Sequence, residues 1–246
     1  MNRLAPLVAT LGLALALVAA LALALAGPGH RLGLWTFGTG FVFLRYAVYG
    51  GIAAAVISAA GLVLARFRGR RRGMFRALAG LVIGLIVVGI PARWLQTARS
   101  VPPIHDITTD TGDPPAFEAL LPLREGAPNP PAYGGPQIAA QQAEGYPDLA
   151  PLDVAVPPQQ AFDAAFSAAT AMGWEIVASD ADAGRIEASD TTFWFGFVDD
   201  VVVRIRAADD GSRIDVRSVS RVGVSDVGAN AVRVRAYLAE LRAQLG

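Results

Sequence analysis

Three groups of side chains have types and spacings that chemistry could use. The first is His105-Asp106 followed by Thr108, Thr109, Asp110 and Asp113. Carboxylates and an imidazole can hold a divalent metal, and His105 is the one histidine after residue 99. General-base catalysis would fall to it or to a carboxylate. The spacing matches no metal loop, however, and Asp and Thr beside prolines readily form Asx and ST turns. The second group is the carboxylate pair Asp199-Asp200. It follows TTFWFGF, which reads as an aromatic strand, and so is expected at a hairpin tip, where Asp is a good turn residue. Adjacent residues of an extended strand would also point to opposite faces, which argues against a paired acid/base site.

The third group is the loop of residues 221–230 and the helix it enters. Arg221, Gly223, Ser225, Asp226, Gly228 and Asn230, with Arg233 beyond, have the ingredients of an anion-holding helix start. The glycines let backbone approach a ligand, and the first turn offers unpaired N–H groups and a positive dipole end. A lipid phosphate or carboxylate is the expected ligand class. The competing reading has Asp226 capping the helix and pairing with an arginine.

Composition removes many alternatives. There is no cysteine, so disulfides, thiolate catalysis and zinc-thiolate sites are excluded. All 21 basic residues are arginine, which excludes Schiff-base and P-loop lysine chemistry. No nucleophile elbow, HExxH, P-loop or GxGxxG occurs. No cofactor is implied, and no basic stripe in the second half invites nucleic acid.

The elements that must position these groups are announced by charge. The first 99 residues hold 11 arginines and no acid, while the rest hold 10 arginines and all 21 acids. Three apolar runs, at about residues 4–26, 41–65 and 75–94, fill the first part. A hydrocarbon core of ~30 Å needs about 20 such residues as helix. The third run is marginal, since Pro91 and Arg93 interrupt its end. Arg66, Arg68, Arg70, Arg71, Arg72 and Arg76 crowd the link between the second and third runs, and short positive loops stay cytoplasmic. The N-terminus with Arg3 is therefore expected inside, and everything after Trp94 outside. Ala24-Leu25-Ala26 before Gly27 resembles a cleavage site, but the apolar run exceeds the ~7–15 residues of a signal-peptide core, so a retained helix is expected. Gly80 and Gly84 form a GxxxG, and Gly51, Ala55 and Ala59 a small-residue row. Packing within one chain is the favoured reading, with a homodimer through Gly80 and Gly84 as the alternative.

Residues 100–151 hold 11 of the 16 prolines yet carry Ile104, Ile107, Phe117, Leu120, Leu121 and Tyr146. A flexible linker seldom holds so many apolar groups, so an ordered arm lying on the following domain is expected. Residues 152–246 read as a two-layer α+β unit, with an antiparallel sheet of about five strands and two helices on one face. The first helix opens at Pro157-Pro158, presents Phe162, Ala165, Phe166, Ala169 and Met172, and ends at Gly173. The second follows Ser225 or Asp226 and presents Ala231, Val234, Tyr237, Leu238, Leu241 and Leu245. In SRIDVRSVS, Ile214, Val216 and Ser218 alternate with Arg213, Asp215 and Arg217, so one sheet face is expected to meet water. The phenylalanines of TTFWFGF are expected under the helices, with Trp194 on the other face.

YPDLAPL, AFDAAFSAATAMGWEIV, GRIEASDTTFWFGFVDDVVVRI and SRVGVSDVGANAVRVRAYL together resemble the DUF1499 family, and VPPIHDITTD is similar to the start of the same domain. The resemblance covers roughly residues 100–246 and implies a membrane-anchored bacterial member, with no activity, substrate or catalytic residue attached. Together these readings predict a multi-pass protein of the bacterial inner membrane. Its extracytoplasmic domain is expected to bind an envelope protein or lipid head group, with a binding role favoured over catalysis. An envelope hydrolase using carboxylates and His105 is one alternative, and a scaffold subunit of a membrane complex is another.

Overall fold

Backbone that crosses a bilayer must satisfy its own hydrogen bonds, so apolar runs of this length become helices. The structure, a computed structural model, describes residues 4–67 and 71–246. Arg3, Arg68 and Arg70 of the orientation argument lie outside the described residues. Helix α1 spans Leu4–Arg31, α2 Phe37–Phe67 and α3 Arg71–Ser100. Each contains a stretch long and apolar enough to cross a membrane. Pro28 and Pro91 sit inside their helices, so α3 runs on past the expected stop near Trp94. The chain divides into two units, Met1–Gln96 with Phe193–Gly196, and Thr97–Thr192 with Phe197–Gly246.

In the helical unit the buried positions recur at alternating steps of four and three. They are Ala5, Ala9, Gly12, Ala16 and Ala19 on α1, Ala47, Gly51, Ala54, Ser58 and Gly61 on α2, and Gly73, Ala77, Gly80 and Gly84 on α3. That is the period of left-handed, coiled-coil-like packing, built here from residues small enough to bring backbones close. A Cβ on Gly84 would stand 2.8 Å from the Gly51 carbonyl oxygen, and one on Gly80 would strike the Ser58 hydroxyl. The GxxxG glycines thus serve packing within this chain. The buried row on α2 continues from Gly51 through Ala54, Ala55 and Ser58, leaving the expected Ala59 half-buried.

The second unit is an α+β domain around a six-stranded antiparallel sheet. Its strands are β1 (Asp106–Thr108), β2 (Leu152–Val154), β3 (Glu175–Asp180), β4 (Arg185–Thr191), β5 (Val198–Ala208) and β6 (Gly211–Ser220). The order is β1-β6-β5-β4-β3, and β2 pairs with the same edge of β6, against Ile214–Ser212 where β1 takes Val219–Arg217. The strand beyond the expected five is β1, from the proline-rich arm. That arm also holds α4 (Pro136–Gly145) and a 3-10 turn at Pro122–Arg124. Helices α5 (Pro158–Ala171) and α6 (Ala229–Leu245) complete the unit.

One sheet face is the apolar core. Ile186, Ala188, Val201, Val203, Ile205, Ile214 and Val216 pack against Phe162, Ala165, Ala169, Val234, Tyr237 and Leu241 of the two helices. Trp174 stacks on Tyr237 at 4.8 Å, and the tyrosine hydroxyl donates to the Ala165 carbonyl at 2.9 Å. Gly173 leaves α5 at φ +75°, the left-handed conformation that ends a helix at a glycine. Phe166, expected in the core, is 37% exposed, because the buried stripe of α5 runs through Ala161, Phe162, Ala164, Ala165 and Ala168.

Three further expectations change. TTFWFGF is not a strand: β4 ends at Thr191 and the backbone turns at Phe193, Trp194 and Phe195 before β5. Alternating aromatics look extended, but Gly196 at φ +71° carries the reversal. Phe193, expected in the core, is 89% exposed. Asp199 and Asp200 are not a hairpin tip but the second and third residues of β5, and both are buried. Nor does most of the second face of the sheet meet water: Asp215 and Arg217 on it are fully buried, while its far end, at Arg206 and Arg213, stays partly exposed.

Candidate functional site

What buries that second face is the arm. Phe117 and Leu120 pack on Val202 and Val219, with Val177 beside them. Around this small apolar centre lies a network of charge. Asp200 accepts from Arg124 Nη1 at 2.6 Å, from Arg221 Nε and Nη2 at 2.8 Å each, and from the Ser189 hydroxyl at 2.7 Å. Arg217 grips Asp106 with two bonds of 2.9 and 2.8 Å and also donates to the Pro115 and Pro131 carbonyls. Two guanidinium groups lie over the Phe117 ring, that of Arg217 at 5.1 Å from its centroid and that of Arg124 at 5.3 Å. Both Glu187 carboxylate oxygens accept arm backbone N–H groups, from Glu118 at 2.8 Å and Leu120 at 2.9 Å. At the far end of the sheet Arg204 and Arg206 both donate to Asp215 and reach Asp113.

These contacts set the ionisation of the groups. Hydrogen bonds from Arg221 to Asp200 raise the Arg221 pKa. Burial lowers that of Arg124 against the opposing pull of Asp200. The Tyr133 hydroxyl is pushed up to about 12, first by burial and then by the Asp106 charge. Burial would raise the Asp110 carboxyl, but backbone N–H bonds from Asp113 and Gly112 and the charges of Arg213 and Arg204 bring it below its ordinary value.

The third sequence group is brought together, but its donors are turned inward. The Asp226 carboxylate accepts the N–H groups of Gly228 and Asn230 at 2.7 Å each, filling the start of α6 from two residues before Gly228. Burial pushes the Asp226 carboxyl up against those two bonds. The Ser225 hydroxyl accepts the Val227 N–H at 3.1 Å. Arg221 pairs with Asp200 and not with Asp226. Arg233 reaches Asp190 at 2.8 Å and Asp199 at 2.7 Å, and donates to Asn230, which joins Ser218 and Ser220. Gly223 gives its carbonyl to the Asn129 side chain at 2.9 Å, which ties the loop to the arm.

The first group is split by the alternation of β1. Asp106 turns to Arg217, while the His105 ring nitrogen Nδ1 lies 3.2 Å from the Val224 carbonyl oxygen. Asp110 forms the expected Asx turn, accepting from the backbone of Gly112 and Asp113 at 3.0 Å each. Among the described residues no three His, Cys, Asp or Glu side chains gather as a metal site would require. Asp199 and Asp200 point to opposite faces, one to Arg233 and the other to Arg124 and Arg221. Sequence reasoning missed Arg124, Glu187 and Arg217 as anchors of the arm. The one available signal was the run of charged positions alternating with Ile214 and Val216.

Three helices long and apolar enough to cross a membrane, followed in the chain by an antiparallel α+β domain with a structured arm, fit a membrane protein. The chain belongs to the family described as Protein of unknown function (DUF1499), whose model matches residues 106–241. The match starts at the first residue of β1, so the arm strand is part of the family's domain. No curated protein and no solved structure matches the chain.

Proposed function

We propose that this protein is an interaction module anchored in the bacterial inner membrane, its domain outside the cytoplasm and bound to an envelope protein or lipid. One observation carries the non-enzymatic part of the reading. All the buried carboxylates of the described residues, Asp106, Glu187, Asp199, Asp200 and Asp215, accept from arginines or backbone of the same domain. A catalytic carboxylate needs at least one oxygen aimed at substrate. Here these bonds fix the arm and α6 to the sheet, which suits a rigid surface for a partner; Asp215 Oδ1, buried without a hydrogen-bond partner, lies 3.5 Å from Arg213 Nε. The extracytoplasmic placement is supported by the arginine-rich link between α2 and α3 and by the absence of acids before residue 100.

The 221–230 loop fits the same reading as a latch. An external anion there would have to displace Asp226 from the α6 N–H groups and compete with Asp200 for Arg221. The test is purification of the full chain from gently solubilised membranes, scored for bound protein and lipid, beside a His105→Ala variant. A stoichiometric partner retained by both supports the module. Hydrolysis of an envelope substrate that His105→Ala abolishes would contradict it.

A further inference from the structure

The turn Phe193–Gly196 belongs to the helical unit, and its contacts explain why. Arg31 donates to the Phe193 carbonyl at 2.8 Å, and the Trp194 indole N–H lies 3.4 Å from the Ala24 carbonyl oxygen. Phe195 stacks on Phe41 at 5.2 Å. Two glycines make room for the turn. A Cβ on Gly27 would lie 2.6 Å from the Trp194 carbonyl oxygen, and one on Gly40 would lie 2.8 Å from the Phe195 ring. Trp35 repeats the pattern, donating its indole N–H to Ala26 at 3.1 Å.

With all its neighbours placed, Phe193 is 89% exposed, as are Leu32 at 74% and Leu34 at 69% in the α1–α2 connection of the same unit. Large apolar groups left in water at adjoining turns mark an interaction surface. The position says which kind. Helix α1 has 28 residues, about 42 Å at 1.5 Å per residue, against a hydrocarbon core of ~30 Å. Its last turns, which carry Ala24, Ala26 and Arg31, therefore reach the head-group zone. Half-buried indoles that hydrogen-bond at that depth, as Trp35 and Trp194 do, are the mark of an interfacial belt.

We propose that the Phe193–Gly196 turn is a lipid-interface anchor. The Phe193 side chain enters the boundary between head groups and acyl chains beside Leu32 and Leu34, and the occupant of this surface is the bilayer itself. The proposal needs only the three spans and stands whether or not the domain binds a partner.

The chain has no cysteine, so single-cysteine variants can be labelled cleanly. Full-length Phe193→Cys, Leu34→Cys and Asp182→Cys are spin-labelled and reconstituted in vesicles of phosphatidylethanolamine and phosphatidylglycerol. Asp182, exposed in the β3–β4 turn, serves as the aqueous reference. Collisional accessibility to oxygen and to a water-soluble nickel chelate is then measured. The expected result at position 193 is an oxygen-to-nickel ratio several-fold above that at 182 and close to that at 34. A ratio equal to that at 182 would place the turn in water and overturn the proposal. Low accessibility to both reagents would mean that protein, not lipid, covers Phe193, and would overturn it equally.

Discussion

Asp200→Ala is the sharpest perturbation of the buried network. Asp200 is fully buried and receives Arg124, Arg221 and Ser189. Removing it leaves the Arg124 guanidinium, whose side chain is 1% exposed, without its carboxylate. Its Nε already lacks a hydrogen-bond partner, and the Val219 and Asn129 carbonyls that Nη1 and Nη2 also reach, at 3.4 and 3.2 Å, carry no charge to replace the carboxylate. Breaking a buried pair from one side typically costs about 3–5 kcal/mol, most of it the uncompensated charge. Arg221 loses its partner too, but its side chain is 24% exposed and water can take over part of the role. Native-state hydrogen exchange of β5 and β6 amides in the full chain, in detergent, reads the opening of this domain without unfolding the helices. At 1.4 kcal/mol per decade, about 3–5 kcal/mol is an acceleration of roughly two to three and a half decades. Replacing both partners, with Arg124→Met added to Asp200→Ala, should recover part of the loss, since no orphaned charge remains there. An acceleration below tenfold for Asp200→Ala would refute the claim that this network clamps the arm to the sheet.

Other substitutions probe separate parts of the account. Phe162→Ala should cost about 3–5 kcal/mol as a buried aromatic truncation, and Phe166→Ala, at 37% exposure, well under that, both read from the same amides. Arg221→Ala should destabilise the domain by about 1.5–3 kcal/mol, a charge-assisted bond's worth, and leave binding to anionic vesicles unchanged. Weakened vesicle binding at unchanged stability would restore the anion-site reading. Because the folded Asp110 carboxyl is held below its ordinary 3.8, its contribution is complete above that pH and disappears as pH falls through the depressed value. Stability–pH curves of Asp110→Asn and the parent chain should therefore differ at neutral pH and converge in acid.

Much of the architecture was legible because it is written in local patterns. The acid-free first 99 residues, the α6 stripe from Ala231 to Leu241 and the Pro–Gly bounds of α5 each encode one element through nearby residues. The misread positions are those where local and tertiary signals conflict. Thr, Phe and Trp favour strands, so TTFWFGF looked extended, although four of its residues leave the sheet for the helical unit. Asp-Asp is a turn signal, and the β5–β6 connection at Asp209-Asp210 obeys it, whereas Asp199-Asp200 is overridden by Arg233 and Arg124. Those partners lie 34 and 76 residues away in sequence, beyond any periodicity argument. The same distance hides the arm's anchors, since nothing near Arg124 or Glu187 names the group each one meets.

Everything proposed for the domain depends on its lying outside the cytoplasm. The most direct test fuses to Gly246 a reporter that is active only in the cytoplasm, with a reporter active only outside it as the complement. The account predicts that the first is silent and the second active. Strong activity of the cytoplasmic reporter would reverse the topology and remove every envelope partner from consideration.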